Sequence, residues 1–208
     1  MLISLGEFVD MLLMVGIIGF LFKDMMRAPV ATHDPVARYR VKRNVHWDDF
    51  WWACALIAPG ILLHELAHKF TAMGFGQAAT FHAACSVSQI GTGSFLDFTC
   101  ILQIAVVALK MIGIPFLIFI PGYVSFSSGV APFAGALIAL AGPLVHLAFW
   151  GVCTLLLKRK AARKYSMRKR LFFAFTAKIN LFLFIFNILP IPGFDGFQVV
   201  RFLLSGVF

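Results

Sequence analysis

Residues 51–73 read WWACALIAPGILLHELAHKFTAM, an apolar run long enough to cross a bilayer as a helix of about 20 residues. Within it stands His64-Glu65-Leu66-Ala67-His68. On a helix His64 and His68 lie one turn apart and point from one face. Two neutral imidazoles so placed can hold a zinc ion, and Glu65 is then positioned to take a proton from a water at the ion. The alternative is a pair of core histidines with Glu65 as their partner. The setting favours the metal, because charged side chains inside a membrane span cost on the order of 2.5–3.5 kcal/mol each and mark function.

Composition agrees with a membrane setting. Of the 208 residues, 61% are hydrophobic, 24 are Phe and 13% are charged, with the apolar content gathered in long runs. One soluble core could not hide so much Phe, Leu, Ile and Val. The formal net charge of +9 does not point to nucleic acid, because Lys and Arg fall in the gaps between apolar runs, as in loops flanking membrane spans. Cys54, Cys85, Cys100 and Cys153 show no CxxC spacing. They are expected to be small buried hydrophobes, neither a disulfide framework nor a thiolate zinc site. Residues 1–22 carry Glu7 and Asp10, no basic start and no small-residue cleavage site. They are expected as a retained first helix and not as a signal peptide.

Working outward, the expected fold is an α-helical integral membrane protein. It would have about four to five transmembrane helices, a re-entrant or interfacial segment, and short β-hairpins. The expected spans are 5–22, 51–73, 133–157 and 171–190. Glu7 and Asp10 fall at the start of the first, where a helix N-terminus tolerates acids. Trp47, Trp51 and Trp52 form an aromatic belt at the start of the second. Pro59-Gly60, one turn before the histidines, is expected to kink that helix and open room near the site. Residues 78–93, ending in Gly91-Thr92-Gly93, read as one or two strands and a turn, and 121–132 as a second hairpin. The apolar run 98–120 is interrupted by Lys110, Gly113 and Pro115. Polar connectors occupy 23–49 and 158–170, the second with eight basic residues and no acid. Residues 197–208 are too short to cross and are expected at the interface. The whole of 1–208 is thus expected to be a single membrane-embedded domain, with core 51–197 and an accessory first helix 1–22.

A zinc ion with an open position for water needs at least one more protein ligand. After Glu65 the chain offers two acids, Asp97 and Asp195, and, besides His68, two further histidines, His82 and His146. Asp97 begins an apolar run and can be a helix cap. Asp195 is flanked by Pro192-Gly193 and Gly196 just beyond a span. Irregular backbone at membrane depth is tolerated where it lines a cavity, so its carboxylate can turn inward. The other reading of Asp195 is a turn residue at the membrane surface.

Three motifs now stand in order: HELAH at 64–68, AGPL at 141–144 and NILPIPGFDG at 187–196. Together they resemble the site-2 protease family of intramembrane zinc metalloproteases, whose pattern is HExxH, then AGPL, then N-x-x-P-x-x-x-x-D-G. The resemblance covers 51–197. It implies that His64, His68 and Asp195 hold one Zn2+ per chain and that Glu65 is the general base. It also implies that Asn187 lies near the active site and orients substrate. Many relatives carry Asn shortly after AGPL, where this chain has His146. We read His146 as a helix-packing residue, with membership of the active-site cavity as the alternative, and not as a ligand.

If His64, His68 and Asp195 share one ion, the helices that carry them must end at similar depth on one side. That holds only if 98–120 re-enters or lies at the interface. The same choice puts both basic connectors on the opposite side, which charge bias favours. The positive-inside rule would make that opposite side cytosolic, whereas the resemblance implies zinc nearer the cytosol, so no orientation is assigned.

The activity implied is hydrolysis of a peptide bond in or near a transmembrane helix of another protein, in regulated intramembrane proteolysis. The partners are transmembrane protein substrates and the lipid bilayer, with no nucleic acid. The expected location is multi-pass in a prokaryotic plasma membrane, since no organelle signal is seen. A helix must unwind before its peptide bonds can be attacked, so 78–93 and 121–132 are expected to offer a strand edge to the substrate. Three rivals differ in class. A catalytically inactive relative that binds partner helices finds no support, because Glu65, both histidines and Asp195 are all present. A metal transporter would need ionisable residues along a path through the other spans, where they are sparse. An anionic-lipid-binding protein would make function of 158–170, which reads more simply as a topological anchor.

Overall fold

The computed structural model describes residues 2–24, 47–86, 98–112, 122–126 and 129–205. In chain order the elements are α1 (Leu5–Phe22), α2 (Trp47–Gly74), β1 (Ala79–Ala83), α3 (Phe98–Met111), β2 (Gly122–Phe126), α4 (Pro132–Lys158), a 3-10 turn (Lys160–Lys164), α5 (Met167–Ile188) and α6 (Asp195–Ser205). Among the described residues α1, α2, α4 and α5 are long and apolar enough to cross a membrane, and the chain is a multi-pass helical membrane protein.

Local chemistry fixes the helix starts. Ser4 and Glu7 form a reciprocal capping box at α1, satisfying two N–H groups that the helix itself cannot. Pro132 opens α4, where its missing N–H costs nothing. Ser166 caps α5 through the Lys169 N–H at 3.3 Å.

Side-chain pairs set the directions of the helices. Cys54 Sγ meets Val15 O and Lys69 pairs with Glu7, so α1 runs opposite to α2. His68 lies against Ile138 and the His64 ring against His146, so α4 also runs opposite to α2. Trp52 packs on Phe172 and Gly60 faces Asn180, so α5 runs parallel to α2. The core between α1 and α2 consists of Met14, Ile18, Leu56, Ile57, Ala58 and Ile61, closed by Phe81 of β1.

Because α4 starts at the end where α2 stops, the intervening chain makes no net crossing, as the shared-ion argument requires. The path is visible at its ends. Thr99 Oγ1 donates to Ala84 O, while Lys110 Nζ lies 3.0 Å from Asp24 Oδ2 at the far end of α1. By Gly122 the chain is back beside Ala83. A helix of 14 residues is about 21 Å long, short of a full span. Gly113 and Pro115 lie outside the described residues, as do Asp97, the turn at Gly91–Gly93 and most of the 23–49 connector.

Three expectations need correction. The segment 121–132 was expected as a second hairpin, but among the described residues each β segment supplies one strand, and β1 pairs antiparallel with β2 in the register Phe81↔Val124. Cys85 and Cys100 form a disulfide, tying the end of the β1 segment to α3, whereas Cys54 and Cys153 are free and buried as expected. Nothing in the spacing marked the first pair, because the partners meet only when the chain folds back. Glu7 sits in the first turn of α1 as expected, in the capping box with Ser4, whereas Asp10 lies beyond that turn. Both are buried, and Glu7 pairs with buried Lys69. Glu7 Oε1 also accepts from Phe81 N at 2.8 Å, and Asp10 Oδ2 accepts from Ala83 N at 3.2 Å and Ser86 Oγ at 2.6 Å. Pro59 lies inside α2, Ile57 and Ile61 on either side of Pro59-Gly60 line the cavity of the site, and the space at Gly60 itself is taken by Asn180, whose amide a Cβ there would strike.

Candidate metal centre

Three elements converge where the motifs predicted. Helix α2 aims the two imidazoles at the same point, with His64 Nε2 and His68 Nε2 3.1 Å apart. Beyond α5 the chain leaves the helix at Leu189 and turns through Gly193, whose φ of +98° disfavours any side chain. That turn delivers Asp195 as the first residue of α6. Its Oδ2 lies 3.1 Å from His64 Nε2 and its Oδ1 3.3 Å from His68 Nε2. The three residues form a group able to hold a metal ion.

The hydrogen bonding around this group fits a cation. His68 Nδ1 donates to the Ile138 carbonyl at 2.7 Å, which fixes the ring's tautomer and leaves Nε2 with a lone pair. That lone pair faces a carboxylate oxygen and a second imidazole. Asp195 Oδ2 is buried and makes no hydrogen bond among the described residues. Lone pairs turned toward one another in a buried site call for a positive charge between them.

The AGPL motif supplies the floor. A Cβ on Gly142 would collide with His68 Nε2 and lie 2.7 Å from His64 Nε2, so only glycine leaves the imidazole edges open. Glu65 is buried in the same wall and opens onto a cavity of about 830 Å³ that also touches His64, His68, His146, Asn187 and Asp195. A buried carboxylate beside a metal, facing a cavity that admits water, is arranged for proton transfer.

His146 reaches the cavity and so departs from a purely packing role. Its Nδ1 lies 2.8 Å from Asn180 Oδ1. The Asn180 amide nitrogen donates to Thr176 O at 2.9 Å, so the Asn oxygen faces His146 and its Nδ1 carries the proton. His146 Nε2 is left as an acceptor, and its ring centroid lies 4.7 Å from that of His64. Asn180 was not singled out in the sequence, although an Asn inside the apolar run 171–190 was a signal of the kind that marks function in a span. His82 stays away from the site and bonds Ser125 Oγ across the sheet at 3.1 Å.

Comparison with known proteins bears on the same region. Residues 156–208 match the model of Peptidase family M50. A protein of Methanocaldococcus jannaschii named "Putative zinc metalloprotease" is 34% identical over 149 residues, covering 70% of this chain and 66% of that protein. A Bacillus subtilis protein of the same description is 35% identical over 74 residues, covering 33% of this chain and 34% of its own length. The chain therefore spans about two thirds of the first relative and one third of the second. No solved structure matches the chain.

Proposed function

The chain belongs to peptidase family M50, the site-2 protease family, and on that premise we propose that it is an intramembrane zinc metalloprotease cleaving peptide bonds in or near transmembrane helices of other membrane proteins. The observation that carries the reading is the meeting of His64, His68 and Asp195 within 3.3 Å of one another, with Glu65 beside them on one cavity. His64, His68 and Asp195 are the ligands of one zinc ion per chain. Zinc held there supplies a water of pKa near ~7 and polarises the scissile carbonyl.

The chain's own groups do the rest. Glu65 accepts the proton from the attacking water and later delivers it to the leaving amine. His146 Nε2 faces the same space as a hydrogen-bond acceptor, oriented by Asn180, and holds a donor of the water or substrate. Asn187 lines the cavity as the penultimate residue of α5 and orients the substrate backbone.

Substrate binds as a strand, on β2 and not on β1. The outward N–H groups of Phe81 and Ala83 are already taken by Glu7 and Asp10, so α1 closes that edge. In an antiparallel pair, opposed residues turn their backbone groups the same way. Val124, opposite Phe81, therefore turns its N–H and C=O away from β1 and toward the cavity that it lines. Proline is tolerated on the open side of an edge strand, so Val124→Pro is expected to keep zinc and the β1–β2 pairing while reducing cleavage roughly tenfold or more. Unchanged cleavage by this variant would remove β2 as the substrate edge.

The test of the whole reading uses detergent-purified full chain. Zinc is counted per chain, and cleavage of a generic single-span substrate is followed with and without a strong chelator. One zinc per chain, with cleavage that chelation stops and zinc restores, is the expected result. A chain that binds no zinc returns His64 and His68 to the status of core histidines.

A further inference from the structure

Helix α5 carries one charged side chain deep within its apolar stretch. Lys178 lies eleven residues after Met167 and ten before Ile188, and between Arg170 and the end of the helix it is the sole charge. A Lys at that depth is costly and is kept for function. Among the described residues it has no ion pair and no hydrogen bond. It is exposed and lines the cavity that holds His64, Glu65, His68 and Asp195.

Its offset along the helix axis from the metal centre follows from helix register. The contacts Trp52–Phe172 and Gly60–Asn180 both join positions 120 apart, so α2 and α5 lie side by side in step. Lys178 is then level with Ala58, six residues before His64, or roughly 9 Å along the axis. The cavity wall between them is apolar, formed by Ile57, Ile61, Phe175, Ile179 and Phe182. A groove of this kind suits a transmembrane segment that is apolar along its length, and the unpaired ammonium asks for an anion at one point on it.

We propose that Lys178 is a specificity-determining residue that pairs with an Asp or Glu carboxylate of the substrate's transmembrane segment, three to six residues from the scissile bond. The interval follows from the 9 Å offset, which is about three residues of extended chain or six of helix. The inference rests on the protease reading and deepens it. Pairing in a low-dielectric groove strengthens the attraction and penalises a substrate that leaves the ammonium unmatched.

The experiment uses the zinc-loaded full chain in liposomes with single-span peptides of otherwise identical sequence. Each carries Glu, Gln or Lys at one position from three to six residues on either side of the mapped cleavage point. At one such position the native chain is expected to cleave the Glu peptide with roughly tenfold higher kcat/KM than the Gln peptide. In Lys178→Met that ratio falls to about one, and in Lys178→Glu the Lys peptide becomes preferred over the Glu peptide. Zinc content shows that each variant is folded. Equal cleavage of Glu and Gln peptides at every position, or a Glu preference that survives Lys178→Met, overturns the proposal. Failure of the zinc-loaded native chain to cleave any peptide overturns the protease reading, whereas cleavage without charge preference overturns this inference alone.

Discussion

Glu65→Gln is expected to bind zinc as the native chain does and to cleave roughly 10²–10⁴-fold more slowly. The substitution keeps size and hydrogen-bonding capacity but removes the group that can accept a proton. Glu65 is not a member of the ligand group, which comprises His64, His68 and Asp195, so the metal should stay. The geometry gives the effect its size. Glu65 lies on the helix face next to both imidazoles, is buried and opens onto the cavity, and among the described residues no other carboxylate besides Asp195 lines that cavity. Metal analysis and a cleavage assay on the same preparation decide the matter. More than a tenth of native activity in the variant would take the role of base from Glu65. Loss of zinc along with activity would instead make Glu65 part of the site's scaffold. The outcome also separates the readings by class, because an inactive helix-binding relative or a metal transporter has no cleavage to lose.

Much of this site was legible in one dimension because its parts are short-range. The histidine spacing of α2 needs only the helical repeat, and the Pro-Gly-Phe-Asp-Gly turn announces its own break. Even the non-crossing segment 98–120 could be deduced, since a shared ion constrains the parity of the crossings. What stayed hidden depends on partners distant in sequence. Glu7 and Asp10 look like ordinary helix-start acids until β1 and Lys69 arrive from more than 60 residues away. The same long-range contact takes up the outward N–H groups of β1, which is why the proposed substrate edge moves from β1 to β2. The Cys85–Cys100 disulfide and the Asn180–His146 bond likewise join segments whose spacing carries no periodic signal. Gly142 was visible as part of a motif, but its reason is steric and needs both imidazoles in place.

That steric reason supports the second large effect, in which two substitutions remove the metal by different routes. Asp195→Ala deletes a donor but leaves space that water can fill. Zinc affinity is expected to fall by more than the roughly 10–100-fold seen when a group merely supporting a ligand is removed, and cleavage should become undetectable. Gly142→Ala deletes no donor. It places a methyl group against His68 Nε2 and His64 Nε2, and the offending atom is fixed to the backbone of α4, which packs along α2 and cannot retreat. Alanine is the better helix former, so the fold should survive while the imidazole edges are blocked. Gly151→Ala on the same helix is the control, because a Cβ there meets nothing within 4 Å. The comparison is made by zinc titration and by thermal unfolding of each variant in detergent. Zinc lost in Asp195→Ala and Gly142→Ala, but kept in Gly151→Ala, with all three chains folded, assigns the ion to the space between α2, α4 and the start of α6. Full zinc and full cleavage in Asp195→Ala would reduce that residue to a turn at the membrane surface, and the third ligand would have to be sought elsewhere on the cavity wall.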